Sequence, residues 1–205
     1  MYLIKTPFWL RWLYPDFIWR QSTDQAKVYL TFDDGPIPEV TPFVLDTLAA
    51  FNAKGTFFCI GDNIRKHPEV FKRVVTEGHS IGNHTFNHLK GWTTEDNVYL
   101  ENFQQCQQLI KSDLFRPPYG RIKRSQAAKL REAYPDLKII MWDVLSGDFD
   151  QQLSPDACLK NVLSTISPGS IIVFHDSVKA FERLKRALPG TLAACVDRGY
   201  TFEVL

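Results

Sequence analysis

The sequence predicts an α/β fold built on a parallel sheet, and three observations carry that expectation. From Lys27 onward short apolar runs alternate with longer amphipathic ones at about 25–30 residues per unit, the rhythm of strand–crossover–strand connections. Polar residues able to do chemistry recur just after the apolar runs, where a parallel barrel carries its active site. The composition, 44% apolar and 23% charged over 205 residues, is that of one globular domain. A chain of this size buries enough surface to need no disulfide or structural metal.

The strands expected are 28–32, 56–60, 79–82, 114–115, 138–144, 170–174 and 200–204. Helices are expected at 41–51, 68–76, 94–111, 125–133, 155–166 and 179–188, the last followed by a short turn at 192–197. Pro68 and Pro155 suit a first helical turn, Gly78 stops the second helix, and Thr94 is placed to cap the third. Seven strands suit a barrel-like closure one strand short of the usual eight. An open doubly wound sheet is the alternative. No internal repeat, low-complexity tract or linker divides residues 27–205, which read as one domain of catalytic size.

Residues 1–26 form an aromatic-rich N-terminal extension. Lys5, Pro7, Arg11 and Pro15 interrupt its apolar run, so the pattern of a cleavable leader is absent. The extension is expected to pack its Trp and Phe side chains against the domain. The alternative is a peripheral membrane contact, with Trp9, Trp12, Phe17 and Trp19 at headgroup level beside Arg11 and Arg20. No stretch approaches the ~20 apolar residues that span a bilayer. The four cysteines, Cys59, Cys106, Cys158 and Cys195, are scattered without a C-x-x-C pair, which fits a reducing compartment and a cytoplasmic location. A formal charge of +1 provides no global field for nucleic acid. The 15 Phe, 7 Tyr and 5 Trp, 13% of the chain, either fill a core or line a stacking groove.

Five segments concentrate the chemistry: Thr31-Phe32-Asp33-Asp34-Gly35-Pro36, Asn83-His84-Thr85-Phe86-Asn87-His88, Arg116-Pro117-Pro118-Tyr119-Gly120, Asp148-Phe149-Asp150 and His175-Asp176. Each follows a predicted strand, so all five can meet in one pocket. Adjacent Asp33 and Asp34 need a cation or other compensation if both are ionised in a buried site, although Asp-Asp-Gly-Pro is also good turn chemistry. On a helical turn the i, i+4 spacing would aim His84 and His88 the same way. With an Asp from another strand end they would form a two-histidine, one-carboxylate set for a divalent metal. His175, ending an apolar strand, is placed as a general acid or base, with Asp148 to orient it and Arg116 to hold a carboxylate ionised. Trp142, inside a predicted strand, reads as core; His67 and His79 receive no role.

TFDDGP, H-T-F-N-H, RPPYG, S-G-D-F-D and V-F-H, in this order, resemble the polysaccharide deacetylase family (NodB-homology domain, carbohydrate esterase family 4) over residues 27–205. The resemblance implies a distorted (β/α) barrel with an open groove at the C-terminal strand ends. It implies metal binding by Asp34, His84 and His88, with zinc first and cobalt, nickel or manganese as alternatives. Asp33 would be the base acting on metal-activated water, and Arg116 would orient it. The Tyr119 backbone N–H would stabilise the oxyanion, and His175, tuned by Asp148, would protonate the leaving amine. Phe149 stands where the family usually has Trp, Val173 where it has Leu, and Leu89 where Pro often follows the second histidine. These changes bear on the acyl pocket and leave the implied metal, base and acid residues intact.

The function expected is hydrolysis of acetyl groups, N-acetyl first, from an acetylated oligo- or polysaccharide. Alternatives are a deformylase or amidase acting on a small or lipid-linked amino sugar, and a non-catalytic carbohydrate-binding protein using Trp92, Tyr119 and Phe149. An Fe(II) oxygenase could also use two His and one Asp, but the motif order argues against it.

Overall fold

The computed structural model describes residues 2–22 and 24–205. Seven parallel strands form a curled half-barrel in the order β5-β4-β3-β2-β1-β7-β6. They are β1 (Lys27–Asp33), β2 (Thr56–Cys59), β3 (Ser80–Asn83), β4 (Leu114–Phe115), β5 (Lys138–Ile139), β6 (Val144–Leu145) and β7 (Ile171–His175). A further strand, β8 (Thr201–Phe202), pairs with the start of β1. Helices α1 (Phe8–Leu13), α2 (Thr41–Ala50), α3 (Gly61–Lys66), α4 (Pro68–Thr76), α5 (Asp96–Ile110), α6 (Arg124–Ala133), α7 (Pro155–Leu163) and α8 (Phe181–Asp197) complete the chain. Among the described residues, no helix is long and apolar enough to cross a membrane.

Strand alternation builds the two sides of the sheet. Along β1, Val28, Leu30 and Phe32 join the large cluster that also holds Val44, Leu48, Leu184 and Leu188 of α2 and α8. Tyr29 and Ile171 instead meet Phe58, Leu114 and Ile140 in a separate interior cluster. Burial on both faces explains why these strands read as nearly unbroken apolar runs.

The expected strand 138–144 is two strands at opposite edges of the sheet. Residues 140–143 cross between β5 and β6, and the N-terminal segment lies along this seam. Ile18 bridges Ile140, Lys5 bridges Val144 and Arg20 bridges Ser170. Thr6 N–H donates to Asp143 O (2.9 Å), Ile18 N–H to Ile139 O (2.9 Å) and Leu145 N–H to Ile4 O (2.8 Å). A strand signal read from one apolar run cannot reveal that its middle turns a corner. Trp142 sits at that corner, packing on the interior cluster while also lining the main cavity, so it is not simply a core residue.

Three smaller differences have local causes. Thr94 does not cap α5: its hydroxyl donates to Lys90 O (2.8 Å), and the helix begins two residues later. α8 runs on through Pro189, without the expected break, because Leu184, Leu188, Leu192 and Cys195 bury one continuous face across the proline. That burial offsets the roughly 3 kcal/mol an internal proline costs a helix. The short helices α1 and α3 carried too little periodicity to be read.

Candidate active site

Strand register assembles the site. Asp33 pairs with His175 on one side and with Phe58 on the other. Cys59 pairs with Asn83, and Asn83 with Phe115. The residues just beyond these ends, Asp34, His84 and Arg116, therefore emerge at one level of the half-barrel. A cavity of about 910 Å³ there is lined by Asp33, Asp34, His84, His88, Tyr119 and His175, among others.

Asp34, His84 and His88 each present one ligand atom, all within 4.8 Å of one another. The His84 and His88 Nε2 atoms lie 3.7 and 3.2 Å from Asp34 Oδ1. His84 Nδ1 lies 2.7 Å from the Arg116 carbonyl, which only an N–H at that position can satisfy, so Nε2 carries the free lone pair. Burial pushes His84 down to about 3 and lowers His88, so both imidazoles are neutral near pH 7, the form a metal ligand needs. Asp34 Oδ1 is buried without a hydrogen bond. Acceptors converging on an orphaned carboxylate oxygen fit a divalent cation, and this N₂O donor set suits zinc or a neighbouring first-row metal.

The two histidines do not share a helical turn. They lie on a loop after β3, where Thr85 (φ 63°) and His88 (φ 57°) take left-handed backbone conformations. Asn83 Oδ1 accepts from Thr85 N–H (2.8 Å), and Asn102 Oδ1 accepts from both Phe86 and Asn87 N–H (2.9 Å each). These bonds aim the imidazoles where a helix would have done so by periodicity.

Asp33 Oδ1 accepts from Arg116 Nη1 at 2.7 Å. Arg116 is fully buried, with Nη1 also on Thr31 Oγ1 (2.7 Å), Nη2 on Met141 O (3.0 Å), and the guanidinium 4.1 Å from the Phe58 ring centre. Burial lowers the Arg116 pKa, and the Asp33 charge opposes that shift. Across the cavity, His175 Nδ1 lies 2.7 Å from Asp148 Oδ1, and His175 N–H donates to Asp148 Oδ2 at 2.7 Å. Burial alone would lower His175, but the Asp148 carboxylate, together with the Asp34 and Asp33 charges, outweighs it and raises the imidazole to about 9. Phe149 meets the His175 ring edge-on at 5.3 Å. Tyr119 (φ 59°) sets its ring centre 4.6 Å from that of His88, tilted by 55°.

All eight residues singled out from the sequence thus come together, six lining the cavity while Arg116 and Asp148 lie behind it. Sequence reasoning missed several supports. Asp176 accepts from Gly35 N–H (2.9 Å) and the Thr41 hydroxyl (2.6 Å), clamping the loop that carries Asp33 and Asp34. Burial raises Asp176 to about 8. Arg183 Nε donates to Asp148 O (2.6 Å), and Tyr2 reaches the cavity from the extension. The Asp176 side chain followed a residue already assigned, and nothing in the spacing linked Tyr2 to the motifs.

The polysaccharide deacetylase family model matches residues 20–134. The chain belongs to that family. Two peptidoglycan-N-acetylglucosamine deacetylases of Bacillus cereus are similar to it. One is 36% identical over 75% of this chain and 57% of its own length. The other is 32% identical over 90% and 88%. The crystal structure of the Bc1960 peptidoglycan N-acetylglucosamine deacetylase, in complex with an aryl hydroxamate, superposes with a TM-score of 0.89 at 32% identity, covering 98% of this chain and 95% of that one.

Proposed function

We propose that this family member hydrolyses the N-acetyl group of an N-acetylglucosamine unit in a glycan. One observation carries the reading: the Arg116-paired carboxylate of Asp33 and the Asp148-paired imidazole of His175 line one cavity with the Asp34–His84–His88 set. The related peptidoglycan deacetylases support this substrate class.

In this mechanism Asp33 is the base. Its Oδ1 is held by Arg116, which leaves Oδ2 to take a proton from the attacking water. Asp34, His84 and His88 would hold the divalent cation, which supplies Lewis-acid polarisation of the acyl oxygen and a lowered pKa for water. The Tyr119 backbone N–H is the proposed donor to the oxygen that gains charge. His175, protonated through Asp148, gives its proton to the nitrogen as the C–N bond breaks. Acetate and a free amine leave. Phe149 and Val173 line the cavity and would bound the acyl methyl group.

The test is acetate release by zinc-loaded protein from acetylated chito-oligosaccharides, peptidoglycan fragments and acetylated xylan. The expected result is release from the N-acetyl substrates. No release from any of them, with zinc bound, would reject the reading. Comparing formyl with acetyl substrates in the same assay measures the acyl pocket, since a formyl group needs no methyl site.

A further inference from the structure

The N-terminal segment does more than cover the barrel seam. Together with the loop around Tyr119 it walls a second groove of about 380 Å³, lined by Leu3, Leu10 and Leu13 on one side and Trp92, Ile122 and Met141 on the other. A volume of this order lies within the range of small-molecule sites. Tyr2, Tyr119, Gly120, Arg121, Trp142 and Leu145 line both this groove and the catalytic cavity, so the two adjoin. Tyr119 stands at the junction, its ring against the candidate ligand His88. Gly120 allows the close fit there, since a Cβ would fall 2.5 Å from Trp142 Cη2.

The chemistry of the walls selects the occupant. The Thr6 hydroxyl is engaged with Trp142 O (2.7 Å), Trp92 Nε1 with Ile122 O (3.2 Å) and Trp19 Nε1 with Tyr14 O (3.2 Å). The Tyr2 hydroxyl donates to Asp150 (2.9 Å), and the Arg121 guanidinium lies 4.6 Å over the Trp92 ring. A sugar entering this groove would lose hydration from its hydroxyls and find the Thr6, Trp19, Trp92 and Tyr2 donors already engaged; the Arg121 guanidinium, at the end shared with the catalytic cavity, keeps its N–H donors. An apolar chain would lose nothing and bury its surface.

We propose that the groove binds an apolar aglycone, a hydrocarbon chain attached to the amino sugar whose acyl group lies in the catalytic cavity. This rests on the deacetylase reading above and narrows it to glycolipid-type substrates. Leu3 and Leu13 are 56% and 46% exposed, so charging them alters the groove without opening the core.

The experiment compares octyl with methyl N-acetyl-β-glucosaminide, below the micellar concentration, by acetate release from the zinc-loaded protein. It also titrates the octyl glycoside into metal-free protein and follows tryptophan fluorescence. The expected result is a kcat/KM at least about tenfold higher for the octyl glycoside, since its added methylenes leave water for the groove. The combined Leu3→Asp and Leu13→Asp variant should lose both that preference and the fluorescence change, while retaining turnover of the methyl glycoside. Val196→Asp, exposed on α8, should retain all three. Equal efficiency on the two glycosides, or a preference the groove variant keeps, overturns the proposal. So does a preference for a lengthened oligosaccharide that the groove variant abolishes. If neither glycoside releases acetate while chito-oligosaccharide does, the aglycone proposal is overturned and the deacetylase reading stands. If chito-oligosaccharide is not hydrolysed either, that reading fails, and a saturable fluorescence change lost in the groove variant upholds the groove while its absence overturns it.

Discussion

Asp34 combines a left-handed backbone (φ 86°) with a buried carboxylate oxygen that has no hydrogen bond. Thr85, His88 and Tyr119 share that backbone region around the same cavity. Non-glycine residues held there cost about 1–3 kcal/mol each and persist where their surroundings over-determine them. Such side chains could be read from the sequence as site residues, because their types and motif order are distinctive. Their strain could not, because backbone conformation follows from contacts such as those of Asn83 and Asp176. The His175–Asp148 pair yields a pH prediction. If protonated His175 is the acid, activity persists below its pKa of about 9 and falls as pH rises through it. The Asp148→Asn change removes the charge that raises this pKa, so the alkaline limb of the acetate-release profile should move to lower pH. An unchanged limb would show that another group sets it. The same sign governs folding. A folded pKa above the ordinary 6.5 adds stability that is complete below about pH 6.5 and lost as pH rises towards 9.

At the scale of elements, the parallel strands were legible wherever both faces are buried, because β1, β2 and β7 then read as apolar runs with polar residues at their ends. The corner at residues 140–143 and the continuation of α8 past Pro189 were not, since tertiary packing decides both. The histidine loop shows the same limit: its i, i+4 spacing suggested a helical turn, whereas Asn102 of α5 holds it as a loop. Replacing Asn102 with Ala leaves the Phe86 N–H without its side-chain partner and the Asn87 N–H similarly deprived. The expected cost is about 1–3 kcal/mol in denaturant unfolding. Zinc affinity, measured by competition with a chelator, should weaken about 10- to 100-fold, as for other supports of metal ligands. A variant of normal stability and affinity would show that the loop holds its shape without this side chain.

Over the whole molecule, the N-terminal segment completes the half-barrel. Ile18 enters the interior cluster, Trp19 is buried, and backbone hydrogen bonds run from Ile4 to Gln21 along the seam and its flank. Phe8, Trp9 and Trp12 are exposed, so the expected packing of the aromatics holds for Phe17 and Trp19 and not for those three. Aromatic density made this segment conspicuous in the sequence, but nothing there revealed which gap it fills. Trp19→Ala should destabilise the protein by about 3–5 kcal/mol, the usual cost of emptying a buried tryptophan site. For a chain of this size that lowers Tm by about 6–20 °C, measurable by calorimetry. A change of a degree or two would mean the seam is held elsewhere. The central claim is that one cavity unites a metal-ligand set with a separate carboxylate base, and Asp33→Asn tests it most directly. Acetate release from N-acetylated chito-oligosaccharide should fall by about 100-fold or more, consistent with loss of a general base, while zinc stays bound; Tm falls as well, because the buried Arg116 loses its counter-charge. Retained turnover in the zinc-loaded variant would contradict the account.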